Sequence, residues 1–398
     1  MNAPAFRSIR DLEISGRRVF LRVDFNAPLE GGKVSDDTRI RAAIPTIEYA
    51  LSQGAKVVLA SHLGRPKGQR NDKYSMEPVG ARLAELLGRV EVLLSEDCVG
   101  DSARKVVGDL REGQVALLEN LRFHPEEEAN DENFARELAR LADVYVNDAF
   151  GAVHRAHASV SALPKLMPER AAGFLLAREV ECLAKLQGEV ERPYAAIVGG
   201  AKVSDKITVL QEILERVDVL VIGGAMANTF LAALGKPMGR SLMEADKLAV
   251  ARTFMQKAEA KGAELLLPLD LIVATSVDDA QGRVVPSDGV GENEMALDIG
   301  PESVERFAGR LRSCRTVFWN GPMGMFERPA FAEGTFGVAR ALAECTGFTL
   351  VGGGDSVAAV QKLQLADRFS HVSTGGGASL EFLEGRKLPG LEALKGGE

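Results

Sequence analysis

The chain lacks any apolar run approaching the roughly 20 residues that a helix needs to cross a bilayer. No membrane span or membrane partner is therefore expected. Its first residues, "MNAPAFRSIRDLEISGRR", lack the apolar core of a secretory leader. Cysteine is scarce and scattered: Cys98, Cys182, Cys314 and Cys345 contain no C-x-x-C pair. They read as isolated thiols of a reducing, cytoplasmic compartment, and neither a disulfide framework nor a zinc site is expected. The histidines, too, lack metal-ligand spacing. Positive charge is not in excess. Lys and Arg number 48 against 56 Asp and Glu, a net charge of −8. A chain-wide attraction to nucleic acid or anionic lipid is thereby excluded, though a local basic cleft is not. Two nucleotide fingerprints are missing as well. There is no G-x-x-x-x-G-K-[ST] and no complete G-x-G-x-x-G after a strand, so neither a Walker loop nor a dinucleotide or protein-kinase glycine loop is supported.

What is present is length and rhythm. At 398 residues the chain exceeds one ordinary core, so two domains are expected. Near-continuous apolar runs, rich in β-branched residues, recur at 19–25, 56–61, 90–95, 115–119 and 143–147. A second series lies at 194–198, 219–222, 264–269, 316–319, 348–351 and 371–373. Such runs suit parallel strands buried on both faces. Helical periods fill many gaps, most clearly at 204–217, where Ile207, Leu210, Ile213, Leu214 and Val217 share one stripe. The alternation predicts an α/β chain of two doubly wound, Rossmann-like parallel-sheet domains. A helix over 171–192 is expected to join them, closed by Gly188 and Pro193.

The strand ends carry the chemistry. The first run leads into Arg22, Asp24 and Asn26, with Arg39 beyond a glycine turn; any one of these could belong to an ordinary turn. Later ends read "HLGRPKG", with His62, Leu63, Gly64 and Arg65; "NLRFHPEEE", with Arg122; and "DAFGAVHRAHA", with His154, Arg155 and His157. Arginine grips phosphate and carboxylate through its planar fork. Several arginines at one sheet edge point to a pocket for a small, highly anionic substrate, with His62 and Asp24 reading its hydroxyls. In the second half the strand ends are glycine-rich: "VGGAKVSDK", "IGGAMA", "WNGPMGMFE", "VGGGDS" and "STGGGAS". Glycine lets backbone N–H groups approach phosphate, and a following helix N-terminus adds its dipole. A nucleotide is the expected ligand, with Lys206 on its phosphates and Asp355 toward its magnesium. The residues alone thus describe an α/β phosphotransferase with an Arg-lined acid pocket.

Taken together, "RVDFNAP", "DDTRI", "SHLGRP", "ENLRFHPEE", "NDAFGAVHRAHAS", "GGAKVSDK", "GGAMA", "WNGPMGMFE", "GGGDS" and "STGGGAS" resemble phosphoglycerate kinase, in order and over nearly the whole chain. The resemblance implies reversible phosphoryl transfer between 1,3-bisphosphoglycerate and ADP, giving 3-phosphoglycerate and ATP. It implies a glycerate-binding domain over 1–172 with the tail 386–398, a hinge helix over 173–192, and a Mg2+–nucleotide domain over 193–385, acting as a monomer that closes on its substrates. Carried over, the glycerate set is Asp24, Asn26, Arg39, His62, Leu63, Gly64, Arg65, Arg122 and Arg155. The nucleotide set is Lys202, Lys206, Gly224, Asn320, Pro322, Glu327, Gly353, Gly354, Asp355 and Ser356, with Glu327 on the ribose. Arg39, Lys206, Gly353 and Gly376 are implied at the group in flight. Two positions depart from the family's habit: Ser356 where Thr is frequent, and Ala296 where Gly is frequent, the latter touching the adenine pocket. A Rossmann-class oxidoreductase requires the fingerprint that is missing. A non-catalytic nucleotide-binding scaffold is at odds with the retained Lys206, Asp355 and Arg39.

Overall fold

A computed structural model describes residues 6–396. The ends of the expected first domain, 1–5 and 397–398, lie outside the described residues. The chain separates into two compact units, one over 2–181 with 386–398 and one over 182–385. The division falls within the helix Phe174–Gln187, whose Leu176, Val180, Leu183 and Leu186 are buried.

In the first unit the strands are β1 (Arg18–Arg22), β2 (Leu29–Glu30), β3 (Lys33–Val34), β4 (Lys56–Ala60), β5 (Val92–Leu94), β6 (Val115–Leu117), β7 (Val144–Asn147) and β8 (Arg170–Ala172). Six of them form one parallel sheet in the order β5-β6-β4-β1-β7-β8; β2 and β3 make a separate antiparallel ribbon. Residues of β1, β4, β6 and β7 are almost wholly buried, which explains why their sequence does not alternate. Residues of the C-terminal tail pack here: Leu388, Leu391 and Leu394 are buried, and the Gly390 N–H donates to the Val153 carbonyl at 2.8 Å.

The second unit holds β9 (Tyr194–Val198), β10 (Val219–Ile222), β11 (Glu264–Leu266), β12 (Asp270–Ala274), β13 (Arg283–Pro286), β14 (Met295–Ile299), β15 (Thr316–Asn320), β16 (Phe348–Gly352) and β17 (His371–Val372). Its main sheet is parallel, ordered β11-β10-β9-β15-β16-β17. The order reverses between β9 and β15, where open sheets of this kind leave a crevice beyond their carboxyl ends. The expectation of two parallel-sheet α/β domains is met.

Three local expectations are revised. The run at 264–269 is not one strand: β11 stops at Leu266 and β12 begins at Asp270 in a different, three-stranded antiparallel sheet ordered β13-β12-β14. That sheet escaped the pattern because Asp270, Pro286 and Asp298 interrupt its apolar rhythm. The helix expected over 204–217 is shorter, Ile207–Leu214, because Ser204 bonds through both N–H and hydroxyl to Glu244 and holds the preceding segment as a turn. The helix expected over 171–192 begins only at Phe174, since Ala171 and Ala172 belong to β8.

Candidate functional site

The first unit gathers its arginines at the carboxyl ends of β1, β4, β6 and β7. Arg22 ends β1 and is fully buried. Its Nε donates to Ser159 Oγ at 2.8 Å, and its Nη2 lies 3.3 Å from His62 Nδ1. Arg39, in the first turn of helix Thr38–Ser52, donates from Nη1 to both Asp24 oxygens at 3.0 Å. Burial raises the Asp24 pKa, but the Arg39 and Arg22 guanidiniums, with the Asn26 N–H, outweigh it and hold the carboxyl below its ordinary value. Burial drives His62 well below its own ordinary value, so at neutral pH it is an uncharged ring and the two guanidiniums carry that effect.

Backbone and side chains then link into one network. The Gly64 N–H donates to Asn26 Oδ1, and Arg122 Nη1 donates to the Gly64 carbonyl, both at 2.8 Å. Gly64 sits at φ +61°, and a Cβ there would lie 2.3 Å from the Tyr74 ring, so no side chain fits. Arg122 is buried, its Nε 3.2 Å from Glu128 Oε1 without hydrogen-bond alignment. Burial, Arg155 and Arg22 lower the Arg122 pKa. Burial, with Arg122, Arg22 and Arg155, pushes His157 down to about 3. These shifts report a concentrated positive field, which an anion would relieve.

Asn26, Leu63 and Gly64 line a cavity of about 630 Å³ with Lys73 and Tyr74. The Leu63 side chain also belongs to the hydrophobic core, and Asn120 engages both its N–H and its carbonyl, at 3.2 and 2.7 Å. Arg155 Nε lies against His154 Nε2 at 3.2 Å. Arg65 is exposed and stands outside the network.

The second unit builds around the reversal between β9 and β15. Lys206 Nζ donates to the Gly199 carbonyl and to Asn320 Oδ1, both at 2.8 Å, and to the Asn320 carbonyl at 3.4 Å. Burial lowers its pKa to about 8, against the pull of Asp355 and Asp205. Ser356 Oγ accepts from the Gly321 N–H at 2.7 Å and donates to the Gly352 carbonyl at 2.9 Å, so the hydroxyl that matters at this position is retained. Beneath the same loop the buried Trp319 donates from Nε1 to the Gly321 carbonyl at 2.8 Å. Gly224, at φ +67°, opens helix Gly224–Ala233 with its backbone so near Gly200 that a Cβ would lie 2.6 Å from the Gly200 carbonyl oxygen.

Beside these loops lies a cavity of about 480 Å³, and Gly224, Pro322, Glu327 and Asp355 line it. Its apolar wall comes from Leu242, Leu271 and the strand residues Met295, Ala296 and Leu297. The sequence motifs include Ala296 but not the rest of this wall, most of which belongs to the antiparallel sheet while Leu242 comes from a loop. Lys206, Asn320, Gly353 and Ser356 stand next to the cavity through the Gly321–Pro322 loop, while Lys202 and Gly354 are exposed. Gly376 directly precedes helix Gly377–Leu383. The Asp355 carboxylate, in the first turn of helix Gly354–Lys362, is a hard oxygen donor exposed at the cavity, the donor type that magnesium takes.

The strand order of this unit is that of dinucleotide-binding folds, so fold alone does not separate a kinase from an oxidoreductase. The comparisons with known proteins do. The family model described as phosphoglycerate kinase matches residues 9–386. The phosphoglycerate kinase of Anaeromyxobacter dehalogenans (strain 2CP-C) is 57% identical over 395 residues, covering 98% of this chain and 100% of that protein. That of Moorella thermoacetica is 57% identical over 388 residues, covering 97% and 98%. Among solved structures, phosphoglycerate kinase from Coxiella burnetii aligns with a TM-score of 0.87 at 40% identity, over 98% of this chain and 99% of that one. The enzyme from Pyrococcus horikoshii OT3 aligns with a TM-score of 0.83 at 33% identity, over 98% of each chain. With the glycine loops, the half-buried lysine and the arginine network in place, these matches mean that the chain belongs to the phosphoglycerate kinase family.

Proposed function

We propose that this chain works as a phosphoglycerate kinase with a division of labour between its units. The first takes 3-phosphoglycerate or 1,3-bisphosphoglycerate, and the second takes ATP or ADP with magnesium. The observation that carries this reading is Lys206, a half-buried cation that donates only to neutral oxygens and so has charge to spare for a phosphate. Asp24, Asn26, His62 and Gly64 hold the glycerate, and Arg39, Arg65, Arg122 and Arg155 its charged groups. Pro322 and the apolar wall around Ala296 hold the purine, and Glu327 the ribose. Lys202, Lys206, Gly353, Gly354 and Ser356 surround the phosphates. Asp355 holds the magnesium that arrives with the nucleotide and supplies neutralising charge there.

Toward 1,3-bisphosphoglycerate the nucleophile is a carboxylate, already ionised at neutral pH, so no general base is required. The residues' task is to align the groups, exclude water and neutralise the in-line phosphoryl group, for which Arg39, Lys206 and the Gly353 and Gly376 backbones are suited. Glycerate and nucleotide groups belong to different units, while transfer needs reacting atoms about 3–3.5 Å apart. We therefore assign the helix Phe174–Gln187, in which the units divide, as a hinge for closure. All residues in the scheme come from one chain, which makes a monomer sufficient. A coupled assay with 3-phosphoglycerate and magnesium–ATP tests the reading. ADP formation that depends on both substrates is expected, and folded protein without such turnover overturns it.

A further inference from the structure

Cysteine and histidine spacing in the sequence suggests no metal site, yet the fold brings three ligand types together away from the substrate network. Asp97 and Cys98 lie in the loop after β5, just before helix Gly100–Gly108, and His124 follows Arg122 by two residues after β6. One carboxylate oxygen of Asp97, Cys98 Sγ and one ring nitrogen of His124 all lie within 4.8 Å of one another. His124 Nε2 is 2.7 Å from Asp97 Oδ1, which also accepts from the Cys98 backbone N–H at 2.6 Å. The His124 ring is held against Phe134, with centroids 5.2 Å apart. Cys98 is fully buried, whereas the Asp97 and His124 side chains are 45% and 27% exposed, so the cluster opens to solvent on one side only.

We propose that Asp97, Cys98 and His124 bind a borderline-soft divalent cation of the zinc or cobalt type, with water in a fourth position. Sulfur, imidazole nitrogen and carboxylate oxygen together are the donor set such cations take, whereas magnesium prefers oxygen alone. Tetrahedral ligation at metal–ligand distances of about 2.0–2.3 Å puts ligand atoms roughly 3.3–3.8 Å apart. The His124–Asp97 contact opens by about half an ångström to admit the ion, and the sulfur moves in by up to about 1.2 Å. Bonds form to the carboxylate oxygen, the sulfur and the imidazole nitrogen. The Cys98 S–H bond breaks and its proton passes to buffer, as does the proton between His124 and Asp97 when the ring is charged. The exchange preserves charge: imidazolium plus carboxylate sum to zero, and so do a dication, a carboxylate and a thiolate. A burial that tolerates the first state therefore tolerates the second. The bound ion would tie the loop after β5 to the segment that carries Arg122.

The competing reading is that the trio is only a hydrogen-bonded brace, and cobalt separates the two. Reduced, chelator-washed full-length protein is titrated with Co2+ while the thiolate-to-cobalt charge-transfer absorption is followed, and Zn2+ is then added in competition. A saturable band at one ion per chain, displaced by zinc, is expected. It should vanish in C98A and need about tenfold or more cobalt in H124N. A folded wild-type protein with no saturable band overturns the proposal, and so does a band that survives in C98A, which would belong to another thiol. If C98A fails to fold, X-ray absorption on the cobalt-loaded wild type decides: a first shell without sulfur overturns the site.

Discussion

A single cation is where the nucleotide half is most exposed to test. Lys206→Ala should lower kcat by about 10²–10³, the loss typical of one donor that meets developing charge, with much smaller changes in either KM. Near-normal kcat with weakened ATP affinity alone would remove Lys206 from the group in flight. Its proton gives a second handle. Burial sets the free lysine near pH 8, and the charged form is the useful one. kcat/KM for ATP should therefore fall as pH rises through about 8, and Lys206→Arg should hold that limb flat through pH 9. A wild-type profile level through pH 9 would count against it. In the other half, Arg122→Ala should weaken 3-phosphoglycerate binding by at least about tenfold, as loss of a charge-assisted bidentate partner does, and leave ADP binding unchanged in calorimetry. Arg65→Ala should act in the same direction but less, since Arg65 is exposed and outside the network. Equal loss of ADP affinity would break the division between the units.

At the scale of elements, each unit holds a buried acid at the start of a helix that burial keeps protonated to higher pH. Asp148, after β7, accepts from the Leu176 N–H at 3.1 Å at the opening of helix Phe174–Gln187; Asp298, on β14, accepts from the Gly334 N–H at 2.7 Å at the opening of helix Glu333–Ala343. Burial raises each to about 7 despite these bonds. Between the unfolded value near 4 and the folded value near 7 the folded chain holds more protons, so stability falls as pH rises across that window, by up to about 1.4 kcal/mol per pH unit for each group. Asp148→Asn and Asp298→Asn should each make the calorimetric midpoint less dependent on pH between 5 and 7. An unchanged slope in both variants would show that neither acid is neutral in the folded protein. The same acids mark where sequence reading stopped. β14 is unlike a strand in pattern because Asp298 interrupts it, yet that strand builds the apolar cavity wall near Glu327. The parallel strands were legible because burial on both faces leaves only apolar residues to read; the antiparallel sheet mixes burial with exposure and carries buried acids that pattern alone counts as surface.

With the substrates divided between the units as proposed, the molecule as a whole must bring glycerate and nucleotide together. Only the ternary complex can join contacts from both units, so both ligands together should favour the closed state beyond either alone. Small-angle scattering on the apo protein, each binary complex and the ternary complex should show the smallest radius of gyration in the last. An identical radius in all of these states, with a transition-state-analogue crystal that keeps Arg39 far from Lys206, would rule out closure in this chain.

Local physics made much of this protein readable in one dimension. Runs of β-branched residues determined the parallel sheets, glycine-rich strand ends determined the tight loops at the second sheet's carboxyl edge, and ordered arginine motifs determined the family. Those signals are short in range, because strand burial and turn geometry depend on neighbours in the chain. Strand order decided the rest. It set Lys206 against Asn320 across β9 and β15, stacked Arg22, Arg122 and Arg155 on one edge, divided 264–269 between two sheets, and brought Cys98 to His124 across β5 and β6. No spacing encodes those meetings, since each depends on which strands lie side by side once the whole core has formed.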